Sequence, residues 1–293
     1  MKVSIIGCGY SGRLLARRLV VTGHEVVATS TTDDKLEGLS RLGAQAMYVG
    51  RGDVTGLSRA VEGADAVVYL APPSGDLDEY GARTLAGALR RACSDDLQSF
   101  VYGSSTGAFG AARPDGGWID ETTEPVDPPA RGLRRLLMER ALCQSGLPVK
   151  ILRIAGIYGP GRTLATRIKE GSFVVWEGGP VTSRIHVIDL ARLLEASLAP
   201  DAPELVVACD ERPAPTLDVV RYTAELIGVE PPEPMTFEAA KARLSPIALQ
   251  MRTSGRRCRS LRREALIGPL EYPTYEEGVR AALEVEKLTG REP

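Results

Sequence analysis

Six residues near the start of the chain have the spacing of a phosphate-binding turn. Residues 7–12 read Gly-Cys-Gly-Tyr-Ser-Gly and follow a short apolar run. In this pattern the first glycine permits a tight turn, the second lets a pyrophosphate approach the backbone, and the third lets a helix pack closely on a strand. The helix that follows would direct its amino terminus at the phosphates. The alternative is an ordinary strand-to-helix turn. We predict a dinucleotide site with contacts from Gly7, Gly9, Tyr10, Ser11 and Gly12.

The end of the second predicted strand bears on the choice between the two nicotinamide cofactors. An acidic residue there would bond the ribose hydroxyls and favour NAD. Ser30 and Thr31 occupy this place instead, and the nearest acid is Asp33. Small hydroxyl side chains can hydrogen-bond a 2′-phosphate, and Arg13 or Lys35 would supply positive charge. The segment therefore favours NADP over NAD, unless it only forms a turn before a helix that Asp33 caps.

A second group of reactive side chains lies in residues 103–107, which read Gly-Ser-Ser-Thr-Gly after a predicted strand at Ser99 to Tyr102. The hydroxyl of Ser105 or Thr106 can hydrogen-bond the carbonyl or alcohol group of a substrate, so both are candidate catalytic residues. The alternative is turn or helix-cap chemistry, which serine and threonine also favour.

The alternation of predicted elements would bring these segments to one edge of a sheet. Apolar runs of four to six residues alternate with helical segments between Lys2 and Ile154, which predicts a parallel sheet covered on both faces. The rhythm changes after residue 155, although residues 204–209 read as one more strand. We predict an α/β, doubly wound fold with a nucleotide-binding domain over 1–155. A smaller mixed region over 156–293 would interlock with the same sheet.

The composition excludes several classes of function. The net charge of −2 and the pI near 5.9 provide no basic excess for nucleic acid or an anionic membrane, and no run reaches the ~18 apolar residues of a membrane helix. Five cysteines, at least 49 residues apart, and two histidines fit neither a disulfide framework nor a metal site. The first residues lack the pattern of a signal peptide. We expect a cytoplasmic protein with a small-molecule substrate and no metal.

Longer motifs connect the chain with a known family. In chain order they are Gly52-Asp53-Val54, Leu70-Ala71-Pro72-Pro73, the serine-rich segment 103–110, Arg-Ile-Ala-Gly-Ile-Tyr-Gly-Pro-Gly-Arg at 153–162, and Arg-Ile-His-Val-Ile-Asp-Leu-Ala at 184–191. These motifs resemble those of extended or atypical short-chain dehydrogenases/reductases of the NAD-dependent epimerase/dehydratase group. The resemblance covers nearly the whole chain. It departs in the first turn, where extended members usually have Gly-x-x-Gly-x-x-Gly.

The resemblance implies a doubly wound sheet of about seven strands. It places NAD(P) at the carboxyl ends of the strands and a substrate cleft under the C-terminal region. It also suggests a homodimer through the helices at 77–93 and 129–145. The family's motifs add cofactor contacts from Asp53, Val54, Leu70, Ala71 and Pro72, and substrate contacts from Tyr158, Arg162 and His186.

A second departure concerns the residues that transfer a proton in this family. Its members use a tyrosine that exchanges a proton with the substrate oxygen and a lysine, four residues later, that lowers the pKa of the tyrosine. The four-residue spacing puts both side chains on one face of a helix. In this chain no tyrosine lies between Tyr102 and Tyr158, and no lysine lies between Lys35 and Lys150.

Arginines occupy the places of the missing pair. Alignment of Glu139 with the family's downstream glutamate puts Arg131 at the tyrosine place and Arg135 at the lysine place. A guanidinium stays protonated (pKa above ~12), so Arg131 is not a general acid or base. It is a candidate to bind a carboxylate or phosphate or to stabilise an oxyanion, and Arg135 is a candidate to hold a ribose or phosphate of the cofactor. The alternative for these arginines is a solvated helix face. The arginine-rich run 252–263 is the other candidate anion site, and its alternative is a solvated segment.

Two functions remain. The first is an NAD(P)-dependent oxidoreductase or epimerase/dehydratase-like enzyme that acts on a carbonyl or alcohol of a small anionic substrate with a non-standard proton donor. The second is a non-catalytic NAD(P)-binding redox sensor of the same fold. The intact motifs at 153–162 and 184–191 favour the enzyme, because they line the substrate cleft in the family and a sensor has no need of one.

Overall fold

Strands and helices alternate along the chain, and the computed structural model describes residues 1–110, 113 and 116–289. The strands in these residues are Lys2–Ile6 (β1), Glu25–Ser30 (β2), Gln45–Tyr48 (β3), Ala66–Tyr69 (β4), Ser99–Ser105 (β5), Val149–Ile154 (β6), Gly156–Tyr158 (β7), Val181–Thr182 (β8), Arg184–His186 (β9), Leu205–Ala208 (β10) and Ala214–Pro215 (β11). In this described part, seven strands form one parallel sheet in the order β10-β6-β5-β4-β1-β2-β3. β7 pairs with β9, and β8 pairs with β11. The predicted doubly wound sheet is confirmed.

Helices connect the strands and continue into the C-terminal region. They are Tyr10–Val21 (α1), Asp33–Arg41 (α2), Val54–Val61 (α3), Glu79–Ala92 (α4), Ala130–Cys143 (α5), Ala165–Lys169 (α6), Val187–Ala196 (α7), Thr216–Ile227 (α8), Phe237–Arg243 (α9), Pro246–Thr253 (α10), Arg263–Ile267 (α11) and Tyr275–Thr289 (α12). Asp53 begins α3 by accepting a hydrogen bond of 2.8 Å from the N–H of Gly56, as a helix cap does. Within the residues described, none of these helices combines the length and apolar content of a membrane span.

Two apolar layers cover the faces of the sheet. On one face, Leu15 of α1 and Leu190 of α7 are fully buried in the same cluster. On the other face, Leu89 of α4 and Met138 of α5 pack with residues of α3. Each such side chain contributes about 1.5–3 kcal/mol on burial. The two layers hold the strands in register, so that the carboxyl ends of β1, β2, β4, β5 and β6 lie along one edge of the sheet.

Two elements extend beyond their predicted bounds, and both changes affect the site. β5 continues to Ser105 because parallel pairing with β6 persists through Ser105 and Ile154. α1 begins at Tyr10, directly after Gly9, and so includes the end of the motif at 7–12, which it was expected to follow. Tyr10, Ser11 and Gly12 therefore form the first helical turn, whose free N–H groups face the edge of the sheet.

The C-terminal region returns to the main sheet. β10 pairs in parallel with β6, with Leu205 opposite Ile151, so the strand predicted at 204–209 is confirmed with slightly shorter bounds. The domain boundary at residue 155 stays a prediction.

Candidate functional site

Two cavities meet at the turn between β1 and α1. One has a volume of about 450 Å³ and the other of about 400 Å³, and Gly7 and Gly9 line both. We call the first the arginine-lined cavity, since its walls include Arg131, Arg135, Arg162 and Arg256. We call the second the strand-end cavity, since its walls include Ser30, Thr31, Asp53, Ala71 and Pro72. A dinucleotide that crosses the turn would place one half in each cavity.

The glycines of the turn have the geometry that a dinucleotide requires. Gly7 has a φ of +77°, and a Cβ there would lie 2.7 Å from the backbone nitrogen of Ala71. A Cβ on Gly12 would lie 3.2 Å from the Sγ of Cys8, so this glycine permits close packing of α1 on the sheet. Next to Gly9 the nearest atom to such a Cβ is 4.0 Å away, which leaves room for a phosphate. The three glycines thus have the separate uses that the motif predicts.

The strand-end cavity contains most of the predicted adenosine-side contacts. Ser30, Thr31, Asp53, Val54, Ala71 and Pro72 all line it, whereas Leu70 lines the arginine-lined cavity. Lys35 also lines the strand-end cavity, together with Arg51, which the sequence did not single out. Arg13 is absent from the described lining of this cavity. The basic side chains placed to meet a 2′-phosphate are therefore Lys35 and Arg51.

Ser105 and Thr106 stand at the carboxyl end of β5 and line the arginine-lined cavity. The Oγ of Ser105 accepts a hydrogen bond of 3.1 Å from the N–H of Gly107, which is the cap role that was the alternative to catalysis. Its own proton stays available for a ligand. Among the described residues the hydroxyl of Thr106 has no recorded hydrogen bond, so it can both donate to and accept from a ligand.

Arg131 and Arg135 are one helical turn apart on α5, and both line the arginine-lined cavity. The Nη1 of Arg135 donates a hydrogen bond of 2.7 Å to the carbonyl of Gly103 and lies 3.4 Å from the hydroxyl of Tyr102. The Nη1 of Arg131 lies 3.3 Å from the Sδ of Met251. Neither guanidinium forms an ion pair within the described part of the chain. Their positive charge is therefore available to an anion.

A buried ion pair fixes the depth and rotation of α5. Glu139, one turn after Arg135, is 3% exposed and pairs with Arg153 of β6 at 2.7 Å. Ser104 donates a further hydrogen bond to the same carboxylate, and the guanidinium of Arg153 lies 4.3 Å from the ring centre of Phe109. Since Glu139 is locked to β5 and β6, the arginines on its face of the helix are held toward the strand ends.

Tyr10 and Arg162 form the side of the arginine-lined cavity next to α1. The Tyr10 hydroxyl donates a hydrogen bond of 2.9 Å to the carbonyl of Pro160, and the Arg162 guanidinium lies 5.5 Å from the tyrosine ring centre. Burial raises the pKa of Tyr10 to about 12, against the opposing effect of Arg162. The phenol is therefore protonated at neutral pH, and it is bound to the backbone rather than free.

Tyr158 and His186 pack beneath the cavities and are absent from the described lining of both. The Tyr158 hydroxyl donates to the carbonyl of Thr274 at 3.2 Å, and its ring centre lies 5.3 Å from that of His186. The Nδ1 of His186 accepts from the N–H of Ile188 at the start of α7. Burial lowers the pKa of His186 to about 4, so the ring is neutral at pH 7. Their contact with a substrate stays a prediction that this placement does not support.

The arginine-rich run 252–263 divides in the structure, and one of its members reaches a cavity wall. Arg256 lines the arginine-lined cavity, while Arg259 pairs with Asp120 and Arg263 with Glu211. Arg252 lies against the rings of Phe173 and Trp176. The run is thus neither one solvated segment nor one anion site. The sequence pattern identified the run but did not distinguish Arg256 from its neighbours.

Residues around the start of this run also belong to the cavity. Gln250 and Met251 of α10, with Ser254 just after it, line the arginine-lined cavity. No motif pointed to them, because α10 has no buried residue and no chemical pattern. They reach the site only because the chain folds back over the carboxyl end of β5.

The charged side chains in the described wall of the arginine-lined cavity are all positive. Its described lining includes four arginines and no aspartate, glutamate, histidine or lysine. Over the same described residues, no group of three or more metal-ligating side chains occurs. The cavity therefore suits an anionic ligand and provides no carboxylate or imidazole for general acid–base catalysis.

Comparisons with known proteins agree with this geometry. A family model described as NAD(P)H-binding matches residues 7–200. Protein YeeZ of Escherichia coli K12 is 30% identical over 249 residues, which cover 79% of this chain and 86% of that protein. The structure of a conserved protein from Silicibacter pomeroyi has a TM-score of 0.82 at 30% identity and covers 97% of this chain and 98% of its own.

A human epimerase family protein in complex with NADPH shares the fold at lower identity. Its TM-score is 0.77 at 17% identity, over 97% of this chain and 99% of that one. This likeness shows the fold alone.

Proposed function

Since the chain belongs to the family of NAD(P)H-binding proteins and has the fold of the NAD-dependent epimerase/dehydratase group, we propose that it is an NAD(P)-dependent oxidoreductase. Its substrate is a small molecule with a carbonyl or alcohol group. The observation that carries the proposal is the arginine-lined cavity, which shares Gly7 and Gly9 with the strand-end cavity. A ligand in this cavity lies beside one half of a dinucleotide bound at the glycine turn.

The residues for the cofactor divide between the two cavities. The turn at Gly7 to Gly12 and the first N–H groups of α1 would hold the pyrophosphate. Ser30, Thr31 and Asp53 face the half in the strand-end cavity, where Lys35 and Arg51 favour NADP. Arg135 would hold the half in the arginine-lined cavity, at the place of the family's lysine.

NAD(P), when bound, would supply or accept a hydride, and the residues around it would orient the substrate oxygen. Ser105 and Thr106 would donate hydrogen bonds to that oxygen from the end of β5. Arg131, on α5 in the same cavity wall, would attract a negatively charged group of the substrate, since its guanidinium is permanently charged. Arg131 holds its own proton, so the proton that completes a reduction comes from water. This non-standard source distinguishes the site from the family's tyrosine and lysine pair.

Absorbance of the reduced cofactor at 340 nm tests the proposal. Purified protein with NADPH is given a panel of aldehydes, ketones and oxo acids, and we expect oxidation with some of them. Removing one oriented donor slows such chemistry by roughly 100- to 1,000-fold, so Ser105→Ala combined with Thr106→Ala should lower kcat by at least about 100-fold. Arg134→Gln, on the same helix but outside the cavity lining, is the matched control. Full activity in the double variant would remove these hydroxyls from the mechanism.

A redox sensor is the second candidate, and one observation favours it. The described lining of the arginine-lined cavity has no carboxylate, imidazole or amine that could transfer a proton. A sensor would bind NADPH with a change in fluorescence but would leave the whole panel unreacted. Binding together with turnover supports the oxidoreductase, and binding without any turnover supports the sensor.

A further inference from the structure

Two arginines contact the last turn of α10 and have no acidic partner. The Nη1 of Arg131 lies 3.3 Å from the Sδ of Met251, and the Nη1 of Arg256 donates a 3.2 Å hydrogen bond to the carbonyl of Ser254. Met251 and Ser254 are one helical turn apart, so both guanidinium groups lie at the same part of the cavity wall. Neither forms an ion pair with any residue that the structure describes.

Arg256 is held rigidly in this position. Its Nε donates a hydrogen bond of 2.7 Å to the carbonyl of Gly110, and its own carbonyl accepts one of 3.1 Å from Ser183. The residue is 9% exposed, and its Nη2 is buried without a hydrogen-bond partner. A buried cation that lacks a counter-ion is unfavourable. An anion in the adjacent cavity would offset part of that cost.

The cofactor does not account for this charge. Its pyrophosphate would lie at the glycine turn, at the first N–H groups of α1. Arg131 and Arg256 come from other segments, α5 and the residues after α10. The whole chain has a net charge of −2, so the positive wall is a local concentration and not a general excess of basic residues.

We propose that the substrate has an oxyanion, a carboxylate or a phosphate ester, and that Arg131 and Arg256 bind it. This proposal rests on the function proposed above and names the substrate class. A guanidinium binds such groups through two parallel N–H···O bonds. With the anion at the last turn of α10 and the reacting oxygen at Ser105 and Thr106, the substrate is an oxo or hydroxy acid or a phosphorylated carbonyl compound.

Binding to the NADPH-loaded protein tests the subsite directly. Benzoate, phenyl phosphate and the neutral benzamide are compared by calorimetry, and the first two distinguish carboxylate from phosphate. We expect at least one anion to bind and benzamide to bind more than tenfold more weakly. A hydrogen bond to a charged group is worth about 1.5–3 kcal/mol, which corresponds to a loss of roughly 10- to 100-fold in Arg131→Gln. Arg134→Gln is the control and should bind as the unmodified protein does.

Arg256 is tested by the conservative Arg256→Lys, because a neutral side chain there would leave the carbonyl of Gly110 without its donor. Lysine keeps the charge and loses the two-pronged geometry, so we expect weaker anion binding with an unchanged thermal midpoint. If Arg256→Lys does not fold, anion binding by the variant of the exposed Arg131, Arg131→Gln, is sufficient to test the subsite.

Three results would overturn the subsite. One is equal affinity for benzoate, phenyl phosphate and benzamide, or no binding of either anion at millimolar concentration. Another is unchanged anion binding in Arg131→Gln. The third is a loss of NADPH affinity in Arg131→Gln as large as the loss of anion affinity, because that arginine would then serve the cofactor.

The two proposals fail in different ways. Anion binding that depends on Arg131, without turnover of any compound in the panel, supports the subsite and removes the oxidoreductase. Turnover of neutral ketones as fast as that of oxo acids, and unaffected by Arg131→Gln, supports the oxidoreductase and removes the subsite.

Discussion

The two cavities of this protein differ in how their walls are assembled. The strand-end cavity is built mainly from segments that directly follow β1, β2, β3 and β4, and Leu85 of α4, Tyr102 of β5 and Met138 of α5 complete its wall. The arginine-lined cavity takes Arg131 from α5, Arg162 from the loop after β7 and Arg256 from the segment after α10. In a doubly wound fold the sheet itself creates the first kind of site. The second kind depends on packing between segments that are distant in the chain. Residues of such a wall can be replaced, and the substrate with them, while the cofactor site stays the same.

The largest effect should come from breaking the Glu139–Arg153 ion pair, which positions α5 beside the arginine-lined cavity. Glu139→Gln leaves Arg153 buried without a counter-ion, and such a loss lowers the free energy of unfolding by about 3–5 kcal/mol. Urea unfolding measures the change. Glu37→Gln removes the exposed pair with Arg41, whose side chains are 67% and 74% exposed, and should lower the free energy of unfolding by less than about 1 kcal/mol. Similar losses in the two variants would contradict the proposed anchoring of α5.

Gly7→Ala should have the next largest effect, since this residue belongs to both cavities. The substitution puts a side chain at φ +77° and within 2.7 Å of Ala71, which displaces the turn that receives the pyrophosphate. We expect NADPH affinity to fall about 100-fold, or about 2.7 kcal/mol, in a fluorescence titration. Gly23→Ala is the matched control, because its φ is +83° and no atom lies within 4 Å of the added Cβ. Its NADPH affinity should be unchanged, and a comparable loss there would point to backbone strain alone.

The pH dependence of the free energy of unfolding should report on His186, which is buried at the start of α7. The pKa of His186 is lowered to about 4 by burial from an ordinary value of 6.5, so between these values the unfolded chain binds more protons than the folded one. The contribution of His186 to the free energy of unfolding therefore falls as the pH falls through this range, by roughly 2 kcal/mol between pH 7 and pH 4.5. His186→Asn replaces the capping Nδ1 with a side-chain oxygen that can also accept the hydrogen bond, and it should show less of this pH dependence. Urea unfolding at the two pH values checks this, and equal falls would refute it.

The smallest effect concerns the strand-end cavity and separates the two cofactors. Lys35→Gln with Arg51→Gln should weaken NADPH binding roughly tenfold, because charge-assisted bonds to the 2′-phosphate are lost, and should leave NADH binding unchanged. Arg13→Gln is the control, since Arg13 is outside the described lining of this cavity. Equal changes for NADPH and NADH in the double variant would assign these residues to the pyrophosphate or ribose.

The sequence predicted the strand-end cavity more fully than the arginine-lined cavity. Gly7 could be assigned from the glycine spacing after the first strand, and Asp53 and Pro72 from motifs of the resembled family, because each acts close to its own strand end. Arg51 was missed since nothing distinguishes a lone arginine before a turn. In the arginine-lined cavity, Arg131 and Arg135 were found only because alignment of Glu139 with the family's downstream glutamate put them at the places of the tyrosine and lysine. Gln250, Met251 and Ser254 gave no signal.

Tyr158 and His186 show the limit of the motif. Their segments match the family closely, yet the structure packs Tyr158 against Thr274 and uses His186 to begin α7. A motif fixes which residue types occur along a segment but not which of them face a cavity, because that depends on packing from elements more than 80 residues away in the chain.

The chain by itself determined the parallel sheet, the glycine turn and the absence of the tyrosine and lysine pair, since these follow from local patterns of apolar residues, glycines and missing side chains. Only the tertiary structure decided which arginines share a cavity. Of the arginine-rich run 252–263, it selected Arg256 and paired Arg259 and Arg263 with acids. The physical reason is that a guanidinium's effect depends on its nearest counter-charge and its burial, and both are set by residues distant in sequence.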